Sequence, residues 1–233
     1  MEIPLFLAMT AAEFRSATEI PPQMAWMACH FSAYGIGISN VPQALPQGTM
    51  LMLNDRTPIC GHDPVLVAET LCNAAQNLGC GSILLDFQRA DTSALIKVVE
   101  AVLERAGCPV GVSSLYANGL DCPVLVPPIL PSVPPEEALA PWKGREIWLE
   151  LSTEGTEITV TEEGSRYTSL SHFLPHEKTH SEPALFCHYE ITVQEDRICF
   201  QLGRTKEDQD ALVQAVQGLN VTKVLGLWQE MRS

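Results

Sequence analysis

Basic residues are scarce in this chain. Its 233 residues hold 14 Lys and Arg against 28 Asp and Glu, a net charge of −14. Nucleic acid and anionic membrane both demand a basic surface, so neither is an expected partner. Charged residues of both signs make up only 18% of the chain and apolar residues 46%. That excludes a disordered polymer and leaves enough material for a substantial core. No apolar run approaches the ~20 residues of a membrane-spanning helix. The N-terminus, Met1-Glu2-Ile3-Pro4-Leu5-Phe6, lacks the basic start of a secretory signal. The expectation is a soluble, cytoplasmic protein.

Several chemical signatures are also missing. The eight cysteines form no C-x-x-C pair, which removes zinc-ribbon and thioredoxin-like chemistry. Cys72 sits in a helical pattern and Cys199 in a strand pattern, as small reduced hydrophobes do. There is no G-x-S-x-G nucleophile elbow. Gly35-Ile36-Gly37 lacks the third glycine and the helix of a dinucleotide fingerprint. No cofactor is expected. His172, His176 and His180 stand four apart, a spacing that would align imidazoles for a metal on a helix. Pro175 interrupts that helix, so the segment reads as an exposed loop, and no metal site is assigned to it.

What is present is alternation of strand and helix. Thr49–Leu53 reads as a strand ending in Asn54-Asp55-Arg56. Asp63-Pro64 opens a helix with its cap and N1 proline in the preferred order. That helix stops at Gly79. Ser82–Leu85 is a buried strand whose end is crowded by Asp86, Gln88 and Arg89. Asp91 or Thr92 caps a helix with apolar residues at Leu95, Val98, Val99, Val102 and Leu103, near the helical period. Pro109–Ser113 is the next strand. This order implies a parallel sheet with right-handed crossovers.

Around this centre the pattern is looser. Ile3–Met9 reads as a first strand. Gln23–Phe31 suits helix or strand, and Met24, Met27 and Ala28 favour helix. Gly35–Ser39 and Val124–Val126 are further strand candidates, the latter followed by the proline-rich segment 127–135. Segments 146–151, 157–161 and 165–170, then 189–193 and 197–202, alternate as exposed strands and hairpins do. Lys206–Leu219 is a last helix and Val221–Trp228 a closing strand. The ring candidates, counting 35–39 and 197–202, exceed by one the eight strands of a closed barrel. The fold expected is α/β: a TIM-like β/α barrel, reduced and irregular, with β-hairpin additions in the C-terminal third, residues 1–233 forming a single domain. A doubly wound sheet with an added hairpin layer is the alternative.

In a parallel β/α fold, chemistry sits at the C-terminal ends of the strands. Asp86 is therefore the candidate catalytic carboxylate. Asn54, Asp55, Gln88, Arg89, Tyr116 and Trp228 are the candidate substrate-binding residues. Acids handle protons and aromatic faces stack on sugar rings. The competing reading pairs Asp86 and Asp55 with Arg89 and Arg56 as local ion pairs.

Gly81-Ser82-Ile83-Leu84-Leu85-Asp86-Phe87-Gln88 resembles the fourth-strand motif DGxDxDxE of chitinase-like, family 18 glycoside hydrolases. Gly226-Leu227-Trp228 is similar to the tryptophan-bearing last strand that floors the sugar site of that family. In the resemblance Asp86 matches the last aspartate and Gln88 stands at the acid glutamate. Leu84 and Gly81 replace the other two aspartates. Glutamine cannot protonate a leaving glycosidic oxygen. The resemblance thus implies a β/α barrel that binds or cleaves a glycan and that has lost the family's usual acid. The ligand expected is a small molecule or an oligosaccharide. The alternative is a non-catalytic scaffold that oligomerises through its C-terminal hairpins, whose edges need covering.

Overall fold

A computed structural model of the chain describes residues 2–32, 35–38, 45–59, 61–89, 93–171, 173 and 175–231. In chain order the elements are β1 (Leu5–Met9), α1 (Ala11–Ser16), β2 (Met24–Ser32), β3 (Gly35–Ile38), β4 (Met50–Asn54), α2 (Pro64–Asn77), β5 (Ser82–Asp86), α3 (Ser93–Arg105), β6 (Val110–Ser113) and β7 (Val124–Val126). Then come α4 (Pro135–Leu139), β8 (Ile147–Leu151), β9 (Gly155–Thr161), β10 (Gly164–Leu170), β11 (His180–Glu182), β12 (Cys187–Val193), β13 (Arg197–Gly203), α5 (Lys206–Ala215), β14 (Val221–Leu227) and α6 (Trp228–Met231).

The larger sheet has nine strands in the order β1-β14-β8-β7-β6-β5-β4-β2-β3, and β1 also pairs with β2. Setting aside β3, an antiparallel flap on β2, the other eight are parallel and close into a ring. The barrel expected from the alternation is therefore present. Two of its expected members are not in it. Segment 35–38 is the flap, and 197–202 lies in β13 of the second sheet. The missing member is β2, where helix was favoured. Its Met24, Ala25, Trp26, Cys29 and Phe31 are all fully buried. A strand covered on both faces shows no alternation, so the sequence cannot distinguish it from a helix there.

The period of two sorts each ring strand into inner and outer residues. Outward residues such as Leu51, Leu53, Ile83, Leu85, Val110 and Val112 join the cluster that packs on α2 and α3. Inward, Phe6, Ala8, Ala25, Met50, Met52, Leu84, Leu125, Trp148 and Leu225 fill the barrel. Trp148 needs space that only a glycine opposite can leave. A Cβ on Gly111 would lie 2.2 Å from the Trp148 ring. Lys223 plugs the lower barrel, its Nζ 3.9 Å from the centre of the Trp148 ring and 3.3 Å from Ser82 Oγ. Burial lowers its pKa.

Helices fill only part of the outer ring. Asp63 Oδ1 accepts from Val65 N at 2.9 Å and caps α2 as expected. The expected cap of α3, Asp91 or Thr92, lies outside the described residues. Between β6 and β7 the chain makes turns instead of a helix, and Arg145 takes a helix's place. Its guanidinium donates to the carbonyls of Ala117, Leu120 and Cys122 at 2.8, 2.7 and 2.8 Å.

The second sheet is antiparallel, in the order β10-β9-β13-β12-β11, and is inserted between β8 and α5. The expected hairpins 157–161 with 165–170 and 189–193 with 197–202 are both there. Thr205 and Asp208 form a capping box that starts α5, and Asp208 Oδ2 also meets His188 Nδ1 at 2.8 Å, tying the insertion to the barrel. Arg204 is a second tie. It donates to the carbonyls of Ile129, Leu130, Leu185 and Phe186, joining the proline-rich loop to the insertion. Its charge is spent on backbone.

No helix among the described residues is long and apolar enough to cross a membrane. The described cysteines are all free. His172 lies outside the described residues. His176 Nε2 pairs with Glu190 Oε2 at 3.0 Å, and the His180 ring stacks obliquely on Tyr189.

Candidate active site at the barrel mouth

The mouth is built on the C-terminal ends of β4, β5, β6, β8 and β14. On β5 the inward positions are Ser82, Leu84 and Asp86, so Asp86 stands one layer above the apolar filling. Phe87, the next residue, is fully buried outside the ring. It packs edge-on against Tyr116, ring centres 5.8 Å apart. This anchors the chain as it leaves the strand.

The turn after β5 is then fixed from both sides. Asp55 is buried, and its two carboxylate oxygens accept from the backbone N–H of Gln88 (3.0 Å) and Arg89 (2.8 Å). Ser113 Oγ donates to the Phe87 carbonyl at 2.7 Å, and the Tyr116 hydroxyl donates to the Arg89 carbonyl. Arg89 Nη2 reaches the Arg56 carbonyl at 3.2 Å. Asn54 continues the inward face of β4 and donates to the Cys29 carbonyl at 3.4 Å. Six of the residues expected at the site, Asn54, Asp55, Asp86, Gln88, Arg89 and Tyr116, thus do meet at adjacent strand ends. Among the described residues no ion pair at contact distance joins Asp55 or Asp86 to Arg56 or Arg89: Asp55 faces backbone amides and Arg89 a carbonyl, and the Arg56 charge acts on Asp86 only from farther off.

Gln88 Nε2 donates to Asp86 Oδ1 at 2.6 Å. The Asp86 pKa is nevertheless raised. Burial is the main cause, opposed by the Gln88 hydrogen bond and reinforced by the charge of Asp55.

Trp228 stands elsewhere than expected. β14 ends at Leu227, and Trp228 opens the single turn of α6, half-buried against the outer core. Two residues later comes Glu230, whose Oε2 accepts from Ser152 Oγ and Thr153 N, both at 3.1 Å.

The residue whose weight sequence reasoning underestimated is Glu150. It lies two positions after the inward Trp148, so the strand period points it into the mouth. Its pKa is pushed up to about 8, first by burial, then by the charges of Asp86 and Glu230. A carboxyl of this kind is protonated at neutral pH. The mouth therefore holds a neutral acid, Glu150, near a second carboxyl, Asp86, with Gln88 as a neutral amide beside it. The signal that could have found it is the alternation Trp148-Leu149-Glu150-Leu151, an acid on the same face as a tryptophan.

A groove of about 880 Å³ lies away from the mouth. It runs outside the ring between β1, β14 and α5, lined by Ile3, Leu5, Leu7, Val213, Val224 and Met231, with Glu230 at its border.

No family model and no curated protein matches the chain. Solved structures do match in fold. A glycoside hydrolase family 18 N-acetylglucosaminidase from Paenibacillus barengoltzii aligns with a TM-score of 0.61 at 7% identity, over 97% of this chain and 95% of that one. The spore cortex-lytic enzyme SleL of Bacillus cereus aligns at 0.59 and 9% identity, over 97% and 70%. A family 18 chitinase from Cycas revoluta, in complex with (GlcNAc)4, aligns at 0.57 and 10% identity, over 97% and 94%. The fold is thus glycoside hydrolase-like. More particularly, it is similar to the barrels of family 18 enzymes, and the likeness is one of fold alone.

Proposed function

We propose that this chain binds an oligosaccharide at the C-terminal mouth of its barrel. The observation that carries the reading is the Asp86–Gln88 pair, hydrogen-bonded at 2.6 Å on the inward end of β5. A carboxylate and an amide side by side offer an acceptor and a donor to sugar hydroxyls. Asn54 and Gln88 line the bound sugar in this reading, and Trp228, packed against the outer core, does not. Asp55, Tyr116 and the Arg89 backbone hold the turn that presents them. The whole chain, 1–233, acts as one functional unit. The fold neighbour carrying (GlcNAc)4 suggests the first ligand to try. Calorimetric titration of (GlcNAc)4 into the wild type and Asp86→Ala tests it. Binding that weakens at least about tenfold in the variant, the loss of ~1.4 kcal/mol, supports the reading. Equal affinity in both proteins refutes it.

A second reading, assembly through the inserted sheet, rests on an apolar row. Residues directly opposite in an antiparallel sheet share a face. The register puts Tyr167, Ile158, Phe200 and Ile191 in line across four strands, with Val160, Ile198 and Val193 beside them. Tyr167 is 61% and Val193 72% exposed. Such a face invites a second copy. A solution mass that stays monomeric across the micromolar range would remove this reading.

A further inference from the structure

Gln88 leaves the β5 turn without an acid, yet the mouth has one on another strand. We propose that Glu150 is the proton donor of a glycosidic hydrolysis at this mouth, with Asp86 as the carboxylate that receives the proton of the attacking water. This rests on the reading of the mouth as an oligosaccharide site.

The geometry comes from topology. β5 and β8 are separated by β6 and β7 in the ring, so Asp86 and Glu150 reach inward from different sides of one opening. Asp86 follows the inward Leu84 by two residues on β5, and Glu150 follows the inward Trp148 by two on β8, so each is the next inward position beyond the apolar filling. Glu150 is half-buried, so its carboxyl is shielded yet can meet a ligand in the opening. Asp86 is held by Gln88 and Glu230 by Ser152 and Thr153. The titratable groups facing Glu150 are Asp86 from β5 and Glu230 from α6, both acidic, and Asp55 and Arg56 act on Asp86 in turn. Two acids and burial together keep a proton on Glu150 at neutral pH. A general acid whose pKa lies near the working pH is the most effective kind.

The step balances within the site. The Glu150 proton passes to the glycosidic oxygen as the bond from that oxygen to the anomeric carbon breaks. A water oxygen bonds to the anomeric carbon and its proton goes to Asp86. Release of that proton to solvent and uptake of one by Glu150 restore the start. Nothing is oxidised or reduced.

The test is hydrolysis of (GlcNAc)4, followed as new reducing ends, from about pH 5 to about pH 9, alongside calorimetric binding. The wild type should cleave, with the rate falling above about pH 8. Glu150→Gln should bind as the wild type does and cleave at least ~100-fold more slowly. Glu150→Asp should restore part of the rate and a basic limb. Melting temperatures of both variants confirm folding. A wild type that binds but cleaves nothing overturns the proposal and leaves the binding reading intact. So does Glu150→Gln with wild-type turnover. A wild type that does not bind (GlcNAc)4 overturns both together.

Discussion

Keeping Glu150 inside the mouth has a thermodynamic consequence that does not depend on any ligand. Its pKa is about 8 in the fold against an ordinary 4.5. Between those values the folded chain holds a proton that the unfolded chain has released. The associated stability is fully present below about pH 4.5 and is lost as pH rises through about 8. At about 1.4 kcal/mol for each pH unit, the interval spans at most ~5 kcal/mol. That is a large share of the ~5–15 kcal/mol typical of a folded protein. Glu150→Gln removes the titration and keeps the shape. Urea unfolding of both proteins at about pH 5, 7 and 8.5 reads it, because titrating groups that do not interact with Glu150 cancel in the difference, leaving Glu150 and its coupling to Asp86 and Glu230. The variant should gain on the wild type steadily with pH, by ~3–5 kcal/mol over the whole range. A difference constant to within ~0.5 kcal/mol would refute the claim that this acid is held protonated.

Three further perturbations test the parts that position the mouth. Gly111→Ala places a Cβ 2.2 Å from the Trp148 ring in a filled barrel. It should cost ~3 kcal/mol, a fall in Tm of about 6–12 °C for a protein of this size, and coupling with Trp148→Leu should recover part of it in a double-mutant cycle. Asp55→Ala removes the acceptor of two backbone amides, so the Gln88 and Arg89 N–H groups should lose hydrogen-exchange protection first. The expected cost is ~2–4 kcal/mol, and unchanged protection would show that Asp55 does not hold the turn. Arg204→Lys should be nearly as harmful as Arg204→Ala, about 2–4 kcal/mol, because one ammonium cannot reach the four carbonyls that the guanidinium fork serves. Faster proteolysis within 127–135 is the readout.

The legible part of the fold was the stretch from β4 to β6. There the caps, Gly79 and the apolar period all agree, and local and tertiary preferences coincide. β2 was illegible for a physical reason: Met, Ala and Cys buried on both faces carry no period of two. Segment 197–202 was misplaced because a strand of an antiparallel sheet and a strand of the ring can share one pattern. At the mouth, Asp86 and its neighbours could be read from a strand ending in polar residues. What Asp55 touches could not, since its partners are backbone amides 33 and 34 positions away. Glu150 could be read as a polar residue at a strand end, but not as a residue of the site. Its importance comes from burial first, then from Asp86 and Glu230, which the fold brings near it from β5 and α6.

The account stands most directly on where a sugar sits. A crystal structure of the protein soaked with (GlcNAc)4 answers that in one measurement. The account predicts the oligosaccharide in the opening of the ring, in contact with Asp86 and Glu150. Sugar bound only in the groove between β1, β14 and α5, or only on the inserted sheet, would contradict it.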